Sequence, residues 1–212
     1  KQGALSLAVI GPLRPLMNEQ RHPAAMKTNR ILVTGASGFL GGAIMANLIA
    51  SDHWERSLFL VRAPSPKEGL SRLAENLRRF GTPESLLGRL SLDNVLCGDL
   101  TDVARFEADP RLADVSRVIN CAAVASFGNN PNIWPTNVDG TLNFAECLMQ
   151  RAPLQRFIQV GTAMVCGPDA TSPVAETEDP GQDSRHLVEY TQSKIEAERR
   201  LKKVAGLPLV VV

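Results

Sequence analysis

The chain has 212 residues, 44% of them hydrophobic, and 23 basic against 22 acidic side chains give a formal net charge of +1. This is enough length and apolar content for one well-buried domain. Both signs of charge are interspersed without a Lys/Arg-rich block, which speaks against a nucleic-acid partner, and no apolar run approaches the roughly 20 residues of a membrane span.

In chain order, residues 1–26 carry Pro12, Pro15 and Pro23 and no sustained periodicity, so they read as a poorly ordered leader or linker. The apolar run over residues 4–10 is short for the core of a signal peptide. A domain is expected over residues 27–212. Ile31-Leu32-Val33 predicts a first buried strand, residues 39–50 a helix, and residues 58–61 a second strand. Residues 67–80 predict an amphipathic helix with Leu70, Leu73 and Leu77 at helical spacing. Pro83 opens another helical turn or two, and residues 94–97 and 117–120 read as strands three and four. A helix over 137–151 carries an expected buried stripe of Val138, Leu142, Ala145 and Met149. A fifth strand over 156–160, a long helix over 187–204 and a sixth strand over 207–212 complete the pattern. Near-continuous apolar strands separated by helices imply a parallel sheet covered on both faces. Right-handed crossovers make it an α/β, doubly wound sheet of Rossmann type.

The cysteines Cys97, Cys121, Cys147 and Cys166 are widely and irregularly spaced with no C-x-x-C pair. They are expected to be free thiols serving as small core residues in a reducing cytoplasm. His22, His53 and His186 show no metal-ligand spacing, so no metal site is expected.

Strand one runs into Thr34-Gly35-Ala36-Ser37-Gly38-Phe39-Leu40-Gly41, a G-x-x-G-x-x-G spacing. The first glycine permits a tight turn, the second lets backbone approach a pyrophosphate, and the third lets the new helix pack closely. The helix N-terminus then presents unpaired N–H groups and a partial positive charge to the phosphates. Gly35, Ser37, Gly38, Phe39, Leu40 and Gly41 are therefore expected to hold a dinucleotide cofactor. Strand two ends in Arg62, where an NAD site usually carries a carboxylate for the ribose hydroxyls. A guanidinium there can pair with a 2′-phosphate, which favours NADP(H) over NAD, with Lys67 and Arg72 placed to assist.

Ligand chemistry in a doubly wound sheet gathers at the carboxyl ends of its strands. Strand three is followed by Gly98-Asp99-Leu100, which can contact adenine. Strand four is followed by Ala122, Ala123 and Val124, small residues that leave room for the dinucleotide. Asn137 heads the next helix, where it is expected among the cofactor-site residues as a brace, or else serves as an N-cap. Strand five ends at Thr162, whose hydroxyl can meet a substrate carbonyl. The single tyrosine, Tyr190, precedes Lys194 by four residues, which on a helix puts both on one face. A free phenol titrates near ~10, and an adjacent ammonium is expected to bring it toward the working range of an acid–base catalyst.

These motifs together resemble the extended short-chain dehydrogenase/reductase family over roughly residues 28–212. The resemblance implies hydride transfer between a nicotinamide cofactor and a carbonyl or alcohol. Tyr190 would be the general acid, Lys194 its electrostatic partner and ribose ligand, and Thr162 the carbonyl-orienting hydroxyl. Within the family, Leu60-Val61-Arg62-Ala63 and Asn94–Leu100 resemble the thioester-reductase and fatty acyl-CoA reductase (male sterility-type) branch, which uses NADPH on acyl thioesters linked to a carrier or to CoA. Gly161, Asn120 and Cys166 depart from the residues common at those positions. The resemblance further implies a homodimer paired through the helices of Asn137 and Tyr190, and a substrate lobe lying mostly beyond residue 212. Two other readings are an NAD-dependent sugar-nucleotide epimerase or dehydratase, against which Arg62 argues, and a non-catalytic dinucleotide sensor or scaffold, against which Thr162, Tyr190 and Lys194 argue.

Overall fold

The computed structural model describes residues 29–167, 173–175, 186 and 188–212. The leader expected over residues 1–26, His22, the start of the domain at 27–28 and the helix start expected at Leu187 lie outside them.

Six short apolar runs form one parallel sheet in the order β3-β2-β1-β4-β5-β6. The strands are β1 Arg30–Thr34, β2 Ser57–Val61, β3 Val95–Cys97, β4 Val115–Asn120, β5 Arg156–Gln159 and β6 Leu209–Val211. The helices are α1 Phe39–Ala50, α2 Pro66–Arg79, α3 Glu84–Leu87, α4 Thr141–Arg151 and α5 Glu189–Leu201. Strand order reverses at β1, which pairs with β2 on one side and β4 on the other. That reversal is where a doubly wound sheet opens a ligand crevice.

Alternation within each strand sends side chains to two cores. Leu32, Leu58, Leu60 and Val118 pack with Phe144, Leu148, Phe157 and Leu201 on the face covered by α4 and α5. Ile31, Val33, Phe59 and Val61 pack with Met45, Ile49, Leu73 and Leu77 on the face covered by α1 and α2. Both faces are covered, so strands such as β2 read as continuous apolar runs rather than as alternating ones.

The helix after β4 departs from the sequence reading. A π-helical turn, Pro135–Gly140, runs directly into α4, so Asn137 lies inside a helix and is not an N-cap. The buried side chains include Val138, Thr141, Phe144, Ala145, Cys147 and Leu148, and Leu142 and Met149 are only partly covered. Val138 and Ala145 are buried as expected, and the stripe keeps a helical period but is turned toward Thr141, Phe144 and Leu148 and away from Leu142 and Met149.

Candidate active site

The phosphate loop is built by close backbone contacts. Gly35 takes φ +69°, and a Cβ there would stand 2.8 Å from Ala122 N, against the carboxyl end of β4. A Cβ on Gly41 would collide with the carbonyl of Gly35. The third glycine is therefore required by the loop itself, not by packing of helix on sheet as expected. Gly38 N donates to the Gly35 carbonyl at 2.8 Å and closes the turn.

Behind the loop, buried Asn76 of α2 donates from Nδ2 to the carbonyls of Ala36 (2.8 Å) and Gly38 (3.1 Å). The sequence reading missed it. An asparagine beside Leu77 in an otherwise apolar stripe was the available signal.

In front of the loop an open cleft of about 260 Å³ runs across the sheet. Of the expected cofactor residues, Gly35, Ser37, Gly38, Arg62, Asp99, Leu100, Ala122, Ala123 and Val124 line it. Thr34, Cys121 and Thr136 also line it and were not foreseen as cofactor residues. Phe39 and Leu40 do not: their side chains are 85% and 46% exposed, and the Phe39 ring tilts against Phe80 at 5.8 Å. At their positions only the first-turn backbone amides remain as ligands.

At one end of the cleft stand Arg62 and Arg72, and Arg72 Nη1 donates to the Arg62 carbonyl at 2.9 Å. Lys67 is exposed and does not line the cleft. Arg62 lies 3.8 Å from Asp99, a loose and exposed ion pair. Asp99 Oδ1 accepts from both the amide and the hydroxyl of Thr101 at 3.0 Å. These partners occupy part of the carboxylate expected to meet adenine.

A buried polar chain crosses the strand ends. Ala122 N donates to Thr34 Oγ1 at 3.0 Å, and Thr34 Oγ1 donates to Asn120 Oδ1. Asn120 Nδ2 donates to Gln159 Oε1 at 2.8 Å, and Gln159 Nε2 donates to the Val160 carbonyl at 3.2 Å. Lys194 Nζ donates to that same carbonyl. Burial pulls Lys194 down to about 8. Cys121, on the cleft wall, feels the Lys194 charge, yet burial holds its thiol up at about 11.

Asn137 is buried with its amide fully engaged. Oδ1 accepts from Val124 N at 2.7 Å, and Nδ2 donates to the Val124 carbonyl (3.2 Å) and to Ser193 Oγ (2.9 Å). Ser193 Oγ donates to the Tyr190 carbonyl at 2.7 Å. Asn137 thus ties the β4 loop to the helix of Tyr190 and Lys194 instead of lining the cleft. The Tyr190 ring meets Phe127 edge-on at 5.8 Å. Burial raises the Tyr190 phenol, and among the described residues no cation offsets it, contrary to the expected lowering; Lys194 is turned to Val160. Thr162 heads the turn Ala163–Cys166, which packs against α5. Its Oγ1 accepts from Met164 N at 3.3 Å, which leaves its own proton available. Among the described residues the four cysteines are free, with Cys147 buried and the others partly covered. No described helix is long and apolar enough to cross a membrane.

This sheet order, with a glycine loop at the reversal and Tyr-x-x-x-Lys on the helix before β6, defines a Rossmann domain of the extended short-chain dehydrogenase/reductase type. The NAD-binding family model described as male sterility protein matches residues 33–212, and the chain belongs to that family. It is 31% identical over 206 residues to an isonitrile lipopeptide synthase of Streptomyces coeruleorubidus, covering 90% of this chain and 13% of that protein. It is 29% identical over 202 residues to the aldehyde reductase lnaA of Aspergillus flavus, covering 86% of this chain and 18% of that protein. The solved terminal R domain from the myxalamid PKS-NRPS biosynthetic pathway superposes with a TM-score of 0.75 at 25% identity, covering 89% of this chain and 49% of that one. The chain thus spans a small part of these curated relatives and about half of the solved domain.

Proposed function

We propose that this chain carries the cofactor site and catalytic residues of an NADPH-dependent reductase acting on a carbonyl or an acyl thioester, with Tyr190 as general acid. The observation that carries the reading is the cleft at the sheet reversal, walled by the glycine loop and with two guanidinium groups at one end, while Thr162, Tyr190 and Lys194 stand outside its lining. Family membership and the reductase among the relatives support a reductase over an epimerase or a sensor.

The residues present fit a dinucleotide. The backbone of Gly35, Ser37 and Gly38 would hold the pyrophosphate at the N-terminus of α1. Arg62 and Arg72 would meet a 2′-phosphate, and Ala122 and Ala123 leave the floor open. NADPH, when bound, supplies the hydride. The Tyr190 phenol, which burial moves further above its ordinary value, is protonated at neutral pH and would donate that proton to the substrate oxygen. Thr162 would offer its free hydroxyl proton to the same oxygen. Lys194, charged below about 8, would hold a ribose hydroxyl and, once turned from the Val160 carbonyl, stabilise the phenolate left behind.

The test is consumption of NADPH by the full-length protein, with a CoA- or carrier-linked acyl thioester and with an aldehyde as substrates. The expected result is consumption that is faster with NADPH than with NADH. No oxidation of either cofactor with any carbonyl or thioester would contradict the reading.

A further inference from the structure

Asn76 sits next to Leu77 in the buried stripe of α2 and is only 7% exposed. A buried amide costs free energy unless its polar atoms are met. Here the amide nitrogen faces two carbonyl oxygens, Ala36 at 2.8 Å and Gly38 at 3.1 Å. Carbonyls only accept, so one hydrogen of the NH₂ serves each. The approach is possible because residue 42 of α1 is glycine. A Cβ there would collide with Asn76 Nδ2 and stand 2.5 Å from the Phe80 ring.

A trans peptide is planar, with its C=O and N–H pointing in opposite directions. Holding the Ala36 carbonyl toward α2 turns the Ser37 N–H away from α2. Holding the Gly38 carbonyl does the same to the Phe39 N–H. Gly42 N also donates to the Gly38 carbonyl at 3.1 Å, so this second peptide plane is fixed from two directions. Ser37 and Gly38 line the cleft, whereas Asn76 does not.

We infer that Asn76 is a positioning residue for the phosphate loop: it aims the Ser37 and Phe39 amides as donors to the anionic oxygens of a pyrophosphate. The inference rests on the dinucleotide reading and adds to it a residue from outside the glycine motif. Gly42 belongs to the same device, as the gap through which Asn76 reaches.

Two variants test it in the full-length protein. Asn76→Leu removes both donors at similar volume, and Asn76→Asp keeps the shape but replaces the donor with an acceptor. Each is titrated with NADP⁺ and, by competition, with adenosine 2′-monophosphate, which lacks a pyrophosphate. NADP⁺ affinity should fall about tenfold, the equivalent of one lost buried hydrogen-bond contribution, and affinity for the mononucleotide should be unchanged. Equal loss for both ligands marks a merely structural role and overturns the inference, as does undiminished NADP⁺ affinity. A wild type that binds neither ligand overturns the dinucleotide reading itself. If the variants do not fold, the wild type still decides the point: inorganic pyrophosphate should shift the Ser37 and Phe39 amide NMR resonances, and resonances that stay in place overturn the assignment.

Discussion

The Lys194 ammonium donates to the backbone carbonyl of Val160, 34 residues earlier at the end of β5. Gln159 donates to the same oxygen, and through Asn120 and Thr34 that oxygen joins the phosphate-loop end of the sheet. The lysine is thus held where three strand ends converge, out of water.

Burial lowers Lys194 to about 8 in the folded protein, whereas an unfolded lysine titrates near ~10.4. Between those values the unfolded chain binds more protons, so stability rises with pH across that window. Below about 8 the penalty of the buried charge is fully present. Urea unfolding across the window should show this rise in wild type and a smaller one in Lys194→Met. Identical pH dependence would refute it. Turnover should fall as pH passes about 8, where the ammonium is lost, and Lys194→Arg should move that fall upward.

Asn137 is expected to act through Tyr190 rather than on the cofactor. Asn137→Ala strands Val124 N and Ser193 Oγ. It should cost about 1–3 kcal/mol for the buried groups left unpaired, measured by urea denaturation. It should also lower kcat with little change in NADPH affinity. A loss confined to affinity would return Asn137 to the cofactor site.

Arg62 is 69% exposed at the side chain and only loosely paired with Asp99, so turning it to a phosphate costs little. Arg62→Ala should weaken NADPH roughly tenfold, as expected for a lost charge-assisted contact, and NADH hardly at all. Equal loss by titration would remove the 2′-phosphate role.

Much of this architecture is legible in the chain because both faces of the sheet are buried. Runs such as Leu58–Val61 declare themselves, and Gly35 to Gly41 mark the turn at the reversal. The bounds of α1 match the expected ones, residues 39–50. What is not legible depends on tertiary contact. The stripe of α4 is set by what the helix packs on: Phe144 and Leu148 join the core where Leu142 and Met149 are expected, an offset that helical spacing alone does not decide. Tyr190 and Lys194 share a helix face as their spacing implies, but the Val160 carbonyl that captures the ammonium is 34 residues away. The phenol is therefore raised by burial rather than lowered by charge. Asn76 leaves a mark in the sequence but not its meaning: a lone amide in an apolar stripe looks like a defect until the loop it serves is seen folded against it.

Whether Tyr190 delivers a proton beside a bound dinucleotide is tested most directly by Tyr190→Phe. NADPH binding should be unchanged and turnover reduced by about 10²-fold or more, the usual contribution of a general acid. Turnover equal to wild type would contradict the catalytic role of Tyr190.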